Sequence, residues 1–483
     1  MKMAGRSQIG AAEAPSEGLR PVLSLFDSAM IVAGSMIGSG IFIVSADIAR
    51  YVGSPAGLLA VWLVSGLMTI AGALAYGELA AMMPQAGGQY VYLREAYGPL
   101  WAFLFGWTLL LVVQTGTIAA VAVAFARFAG VIWLALGPPI PLGVGRLALS
   151  SEQAGAILVI AVLTAINLRR VETGRQVQNF FTSFKILSLV LIAALGLLIA
   201  PRHDALRINF GGAQAFLGTL PLSIGLLSAF GAAMVGGLFS ADAWASVTFT
   251  AAEVRNPSRD LPLALAFGTA TVILLYLLTN LSYMAELPVN GIAAASDLFG
   301  RGISHARADR VAAAAIEMVW GRAGAALTAA IVMISTFGCA NGLILTGARV
   351  IYAMAKDGLF FASAGRLNRA MVPGVALVMQ GIWSAVLALS GSYSELLDYV
   401  IFANLLFYVL TVGAVFILRA RRPREPRPYR AWGYPYVPAA YIVAAVVLMI
   451  DLLIMKPRFT WPGLLIVLSG VPIYALRIRR RAL

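Results

Sequence analysis

Apolar residues fill most of the chain in runs of about 20 residues, and short polar segments separate these runs from one end of the sequence to the other. A helix of that length crosses a hydrocarbon core about 30 Å thick. The pattern therefore predicts an all-α membrane protein with twelve transmembrane helices. We place them at about 24–48, 56–81, 98–130, 153–168, 178–200, 223–253, 262–285, 323–354, 373–391, 394–418, 436–455 and 461–477.

Composition and charge agree with this prediction. The chain is 60% hydrophobic and 12% charged, whereas soluble domains carry about 25% charged residues. The net charge of +14 does not indicate a nucleic-acid partner, because most of the basic residues fall in loops on one side of the predicted membrane. Such loops mark the cytoplasmic side. Both termini are therefore predicted to be cytoplasmic, with anionic lipid headgroups as neighbours.

The loops divide the chain into a ten-helix core and a two-helix appendage. The predicted parts are a disordered cytoplasmic tail at 1–20, a ten-helix core at 21–420 with halves at 21–200 and 216–420, a Pro/Arg-rich cytoplasmic linker at 421–435, and the last two helices with a basic C-terminus at 436–483. Within the loops, the polar and aromatic segment at 84–99 is predicted to be amphipathic and to lie at the cytoplasmic interface. The alanine-rich part of the outer loop at 286–322 is predicted to form a short helix.

Two predicted spans are interrupted in the middle. The first reads GSMIGSGIF (Gly34 to Phe42), and the sixth reads GGLFSADAWASVTFTAAE (Gly236 to Glu253). Each interior glycine costs a helix about 0.8–1 kcal/mol relative to alanine, and backbone groups freed in hydrocarbon need new partners. Matched interruptions at the start of two five-span halves predict an inverted-repeat transporter whose site lies at the membrane midplane.

The chemistry of a broken helix indicates a ligand class. The N–H groups that begin its second half suit a carboxylate, and the carbonyls that end its first half suit an ammonium. Two such breaks side by side would bind an α-amino acid through its backbone atoms alone. A second interpretation remains for the glycines, because Gly34 and Gly38 have the small-xxx-small spacing of a helix-packing face.

Five stretches together resemble the amino acid–polyamine–organocation superfamily and, within it, the L-type amino acid transporter branch. They are GSMIGSGIF, PQAGGQYVYLREAYGPLWAFLFGW, FSADAWASVTFTAAEVRNPSRDLP, NGLILTGARVIYAMAKDGLFF and RPYRAWGYPYVP. The resemblance covers nearly the whole chain and implies a leucine-transporter-like fold with five-plus-five inverted repeats and broken helices one and six. It also implies alternating access for amino acids.

Carried over by position, the resemblance places the substrate carboxylate on the N–H groups of Ser39, Gly40 and Ile41. The carbonyls near Met36, Phe239 and Asp242 would hold the amino group, and Phe239 would be an aromatic gate. The small Ser240 and Ala241 depart from the aromatic and glycine residues common in relatives. The predicted substrate-binding residues are Met36, Ile37, Gly38, Ser39, Gly40, Ile41, Phe239, Ser240, Ala241 and Asp242.

Lys185 is a basic residue within the fifth predicted span. It either snorkels to the cytoplasmic headgroups or stands where sodium-coupled relatives of the fold bind sodium. In that second position it would brace the first break against span eight near Ser335 or Thr336, which implies transport independent of sodium. A third alternative makes Lys185 a proton carrier.

The acidic residues near the spans also leave alternatives open. Asp242 either caps the second half of span six or contacts substrate or a proton. Glu78, Glu253 and Asp357 are expected to be solvated or paired with arginines, and Asp398 is a weaker candidate for an outer gate. Nearby, Trp244 is expected to pack against the scaffold, and Asn404 and Tyr408 are expected to face the central pathway.

These observations predict a sodium-independent exchanger of neutral L-amino acids without cofactor, metal or catalytic residues. Proton-coupled uptake is the alternative, followed by transport of cationic amino acids or polyamines and by a receptor that binds an amino acid without moving it. The single cysteine, Cys339, lies in span eight, so a disulfide-linked ancillary subunit of the eukaryotic kind is not expected. A stand-alone protein of the prokaryotic inner membrane fits better.

Overall fold

The computed structural model describes residues 19–132, 140–141, 148–218, 224–390, 393–455 and 457–482. The predicted tail at 1–20 lies almost wholly outside these residues. The described chain is built of helices, and apart from isolated backbone pairs its strand pairing is one short antiparallel pair between β1 (Ile140–Pro141) and β2 (Ala148–Leu149).

The first part of the chain forms one interrupted helix and then longer continuous ones. In chain order these helices are α1 (Leu25–Met36), α2 (Gly40–Ile43), α3 (Ser45–Val52), α4 (Pro55–Met82), α5 (Gln89–Tyr97), α6 (Pro99–Thr108), α7 (Gln114–Ile132), α8 (Ser151–Asn167) and α9 (Val171–Ala194). A π-helical turn at Leu109–Val113 joins α6 to α7, and a second one at Leu195–Ile199 extends α9.

The second part of the chain repeats this order of a broken helix followed by long ones. Its helices are α10 (His203–Phe210), α11 (Ala213–Leu217), α12 (Ile224–Ser240), α13 (Pro257–Glu286), α14 (Leu298–Arg301), α15 (Val311–Trp320), α16 (Arg322–Lys356), α17 (Gly374–Ser390), α18 (Tyr393–Arg421), α19 (Tyr436–Met455) and α20 (Pro457–Ala482). Short 3₁₀ helices lie at Trp244–Glu253, Arg307–Asp309 and Ala362–Gly365.

Eight helical segments of the described chain are long and apolar enough to cross a bilayer. They are Leu25–Ile43, Pro55–Met82, Pro99–Gly130, Val171–Ile199, Pro257–Glu286, Arg322–Lys356, Val400–Arg421 and Tyr436–Met455. Each coincides with a predicted span. Three other predicted spans overlap shorter apolar helices, Ser151–Asn167, Gly374–Leu389 and Thr460–Leu476. Predicted span six corresponds to the interrupted pair of α12 and the 3₁₀ helix that follows, so the count of twelve stays a prediction.

The two loop segments with predicted structure, 84–99 and the alanine-rich part of 286–322, each contain a helix that packs on the protein. Helix α5 buries Tyr90, Tyr92 and Leu93 in the protein interior, so its apolar face contacts protein. Helix α15 forms where the alanine-rich segment predicted it. The linker between α18 and α19 contains no helix, as its proline content requires.

Candidate functional site

The first helix break lies at the site that the sequence predicted. Helix α1 ends at Met36, and α2 begins at Gly40. Because the first N–H groups of a helix have no carbonyl one turn earlier, those of Gly40 and Ile41 form its positively polarised end. Helix α3 continues α2 almost without interruption, since the N–H of Val44 donates to the Gly40 carbonyl at 2.8 Å.

Lys185 of α9 satisfies the carbonyls that this break releases. Its Nζ lies 2.6 Å from the Gly34 carbonyl oxygen and 2.8 Å from that of Ile37, and the side chain is 1% exposed. Helix α9 begins at Val171 and not at 178, so Lys185 lies about two turns deeper than predicted. The snorkelling alternative is therefore wrong, because the ammonium is buried against the break.

Helix α16 also contacts carbonyls of the first break and shares that of Ile37 with Lys185. The Ser335 hydroxyl lies 3.2 Å from the Ile37 carbonyl oxygen and 3.1 Å from that of Gly38. Thr336, predicted beside it, instead donates to Val332 of its own helix at 2.8 Å. The first break is thus held between α9 and α16 by an ammonium and a hydroxyl, and Thr336 makes no side-chain hydrogen bond to it.

The second break follows Phe239. Helix α12 ends at Ser240, and the N–H of Asp242 turns back to the Phe239 carbonyl at 3.1 Å. Ala243 has φ = 66°, a left-handed conformation that a residue other than glycine rarely adopts. The chain then continues as a 3₁₀ helix from Trp244, where the sequence predicted the second half of a membrane span.

The two breaks are in direct contact. A Cβ atom placed on Gly40 would lie 2.2 Å from the Ser240 Oγ and 3.0 Å from the Ser240 Cα, so only glycine allows this approach. The Tyr276 hydroxyl of α13 lies 3.0 Å from the carbonyl oxygens of both Met36 and Ser240. Sequence reasoning missed Tyr276, because one tyrosine in an apolar run carries no signal of its position.

The glycines of the first break have different roles. A Cβ on Gly34 would meet Gln178 and Thr182 side-chain atoms at 2.1 Å, and one on Gly38 would lie 3.2 Å from the Cys339 Sγ. Both positions therefore serve close helix packing, which was the alternative interpretation for this pair. Gly40 is the glycine that faces the second break.

Asp242 is held by the two α18 residues that the sequence placed on the central pathway. The Asn404 amide donates to it at 2.6 Å, and the Tyr408 hydroxyl donates at 2.7 Å. Trp244 packs on Tyr408 with ring centroids 5.1 Å apart, as expected for a scaffold contact. A cavity of about 20 Å³ adjoins Asp242, enough for about one water molecule.

All the predicted substrate-binding residues lie in the protein interior. The relative exposure of Phe239 is 7%, that of Asp242 is 8% and that of Ile41 is 0%. The Ser240 hydroxyl donates to the Gly236 carbonyl at 2.9 Å, and Ala241 is 1% exposed. The structure therefore brings the residues of both breaks together in a closed environment.

Ion pairs join the helix ends on the side predicted to be cytoplasmic. Arg349 and Glu253, both fully buried, form a two-bond pair at 3.0 and 2.9 Å, and Arg349 also donates to the Leu345 carbonyl. Glu78 pairs with Arg419 at 2.6 Å. The pairing expected for these carboxylates is confirmed, and it joins α16 to the 3₁₀ helix of the second break and α18 to α4.

A second ionic cluster surrounds α5. Arg94 contacts Asp357 at 2.5 Å and Glu95 at 3.1 Å, and Arg422 contacts Glu95 at 2.6 Å. Burial acts to raise the pKa of the Glu95 carboxyl, but hydrogen bonds from Arg422 and Arg94 outweigh it and lower that pKa below its usual value. Glu95 therefore stays ionised at neutral pH and keeps α5 attached to the linker.

A cavity lies on the side of the protein that is predicted to face outward. A cavity of about 390 Å³ is lined by Ile43, just beyond the first break, and by Arg127, Glu152 and Arg310. Asp398, the candidate outer gate, has its side chain outside the described part of the structure.

The sequence match to known families agrees with this geometry. The model of the amino acid permease family matches residues 23–475. The chain belongs to the amino acid permease family. Its members are membrane transporters and not enzymes, so this permease is an integral membrane protein.

Relatives cover nearly the full length of this permease. It is 30% identical over 472 residues to the human b(0,+)-type amino acid transporter 1, covering 96% of this chain and 89% of the relative. It is 28% identical over 468 residues to the serine/threonine exchanger SteT of Bacillus subtilis, covering 96% and 98%. It is 28% identical over 480 residues to the mouse large neutral amino acids transporter small subunit 2, covering 97% and 83%.

Proposed function

We propose that this permease exchanges neutral L-amino acids across the membrane, by alternating access and without sodium. The observation that carries the proposal is the contact of two helix breaks at Gly40 and Ser240, with a buried lysine on the carbonyls of the first. The names of its relatives, among them a serine/threonine exchanger and a large neutral amino acids transporter subunit, support the same substrate class.

The substrate site in this proposal consists of the two breaks. The N–H groups of Ser39, Gly40 and Ile41 bind the carboxylate at the positive start of α2. Carbonyls near Met36 and Phe239 bind the amino group, with Phe239 as the aromatic gate. The Met36 carbonyl already accepts hydrogen bonds from the Gly38 N–H at 2.9 Å and from the Tyr276 hydroxyl at 3.0 Å, so a substrate ammonium bound there would replace one of these donors.

Lys185 replaces sodium in this proposal. Its ammonium is a fixed cation bonded to two carbonyl oxygens, with the Ser335 hydroxyl on one of the same carbonyls. Oxygen atoms around a cation at a helix break are the arrangement by which broken helices of transporters coordinate coupling ions. A cation that cannot leave removes the requirement for sodium.

The architecture and topology are part of the proposal. Twelve helices form a ten-helix core at 21–420 with inverted repeats at 21–200 and 216–420, a linker at 421–435 and two further helices at 436–483. The protein lies in a prokaryotic inner membrane with both termini cytoplasmic. Cys339 is buried, with its thiol 3.0 Å from the Ser35 carbonyl oxygen, which supports function without a disulfide-linked subunit.

Proton-coupled uptake is the second candidate, because Asp242 is a buried carboxylate at the second break. Uptake of labelled alanine and leucine into sodium-free proteoliposomes distinguishes the two. Exchange predicts uptake only into vesicles loaded with amino acid. Uptake into empty vesicles that requires an inward proton gradient would replace the proposal with proton symport, and saturable binding without any uptake would indicate a receptor.

A further inference from the structure

A cavity of about 190 Å³ lies on the side predicted to be cytoplasmic, away from the helix breaks. Three arginines from three separate segments line it: Arg20 before α1, Arg170 at the start of α9, and Arg369 in the turn before α17. Glu172 is the single acidic residue on its wall. The lining charge is therefore strongly positive, which indicates an anionic ligand.

Several arginines on the same side are already engaged by carboxylates. Arg175, Arg349 and Arg419 each pair with a carboxylate, whereas no ion pair joins the three cavity arginines to a carboxylate within the described ranges. All three residues are exposed and line the cavity. Their charges are thus available to a ligand.

Hydrogen bonds fix the walls of the cavity before any ligand arrives. The Asn368 side chain donates to the Leu168 carbonyl at 2.9 Å and accepts from the N–H groups of Ala370 and Val372. This joins the turn that carries Arg369 to the segment that carries Arg170. Met371 in the same turn has φ = 60°, a strained conformation of the kind that occurs at binding sites.

The segment before α1, which carries Arg20, is hydrogen-bonded to the end of the second broken helix. The N–H groups of Val22 and Leu23 donate to the Glu253 carbonyl at 2.9 and 2.8 Å, and that of Arg255 donates to the Leu23 carbonyl at 2.9 Å. A ligand in the cavity therefore contacts the segment before α1, the start of α9 and the turn before α17. Through the segment before α1 it is also connected to the end of the second break.

We propose that this cavity binds a phosphate group, carried either by an anionic phospholipid headgroup or by a free phosphate compound. Arginine forms charge-assisted bonds to phosphate in paired geometry, and the α9 N-terminus adds its partial positive charge. Bound phosphate bridges the three segments and stabilises their arrangement. This inference concerns binding and does not depend on the proposed exchange activity.

Thermal unfolding of the purified full chain in neutral detergent tests the site. Inorganic phosphate is titrated against chloride of equal ionic strength, and short-chain phosphatidylglycerol against short-chain phosphatidylcholine. The Arg170→Gln/Arg369→Gln variant is compared with Arg366→Gln/Arg424→Gln, which removes two exposed arginines of the predicted cytoplasmic side outside the cavity.

We expect phosphate, phosphatidylglycerol or both to stabilise the wild type and the control variant saturably, with the apparent affinity about tenfold lower in the cavity variant. A response to the lipid alone identifies a headgroup, and a response to phosphate alone identifies a soluble ligand. The proposal is overturned if neither probe stabilises the wild type. It is also overturned if the apparent affinity falls equally in the cavity variant and the control variant. If the double variant does not fold, Arg369→Gln alone provides the same comparison, because this residue lies in an exposed turn.

Discussion

Replacing Lys185 with alanine removes the cation that holds the first break. Two hydrogen bonds from its ammonium, at 2.6 and 2.8 Å, end on the Gly34 and Ile37 carbonyls. Hydrogen bonds to a charged group contribute about 1.5–3 kcal/mol each, so the two together amount to about 3 kcal/mol or more. If half of this free energy stabilises the geometry that the break needs for transport, the exchange rate falls about tenfold. If the full 3 kcal/mol does so, the exchange rate falls about 100-fold.

The assay is amino acid exchange in sodium-free proteoliposomes, normalised to the amount of folded protein. Lys356→Ala is the matched control, because Lys356 is exposed at the end of α16 and its loss leaves the break intact. We expect Lys356→Ala to retain wild-type exchange. Wild-type exchange by Lys185→Ala would refute the reasoning, since it would show that the ammonium is not needed at the break.

Three further substitutions test the contacts around the breaks. Gly40→Ala places a Cβ 2.2 Å from the Ser240 Oγ, so exchange should fall more than tenfold and recover in part in Gly40→Ala/Ser240→Gly; full exchange by the single variant contradicts the close contact. Asp242→Asn should keep sodium-free exchange within about tenfold if the residue positions α18 through uncharged hydrogen bonds, and abolition of exchange would show that the carboxylate charge itself is required. Arg349→Gln should lower unfolding stability by about 3–5 kcal/mol in a thermal melt, because the Glu253 charge stays buried without its partner; an unchanged melting temperature contradicts that pairing.

The membrane fold follows largely from the sequence, because hydrophobic length is a local property. Every predicted span overlaps a helix or a broken pair of helices, and both breaks lie where glycine and small polar residues interrupt apolar runs. Helix starts are less predictable. The polar first turns of α9 look like a loop, which made Lys185 appear shallower than it is.

Contacts between distant helices were harder to predict. Nothing in the sequence shows that Tyr276 reaches both breaks or that Gly34 packs on Gln178. Such contacts depend on helix rotation and crossing, which a pattern of apolar residues leaves undetermined. The pairing of Asp242 with Tyr408 was open for the same reason.

The central claim is that two broken helices together bind both ends of an amino acid. Binding of leucine, leucinamide and N-acetylleucine to the purified protein in sodium-free buffer tests it most directly. Leucinamide lacks the carboxylate intended for the α2 N-terminus, and N-acetylleucine lacks the ammonium intended for the carbonyls. We predict that leucine binds saturably and that each blocked analogue binds at least about tenfold more weakly. Equal affinity for leucine and either analogue would contradict the account.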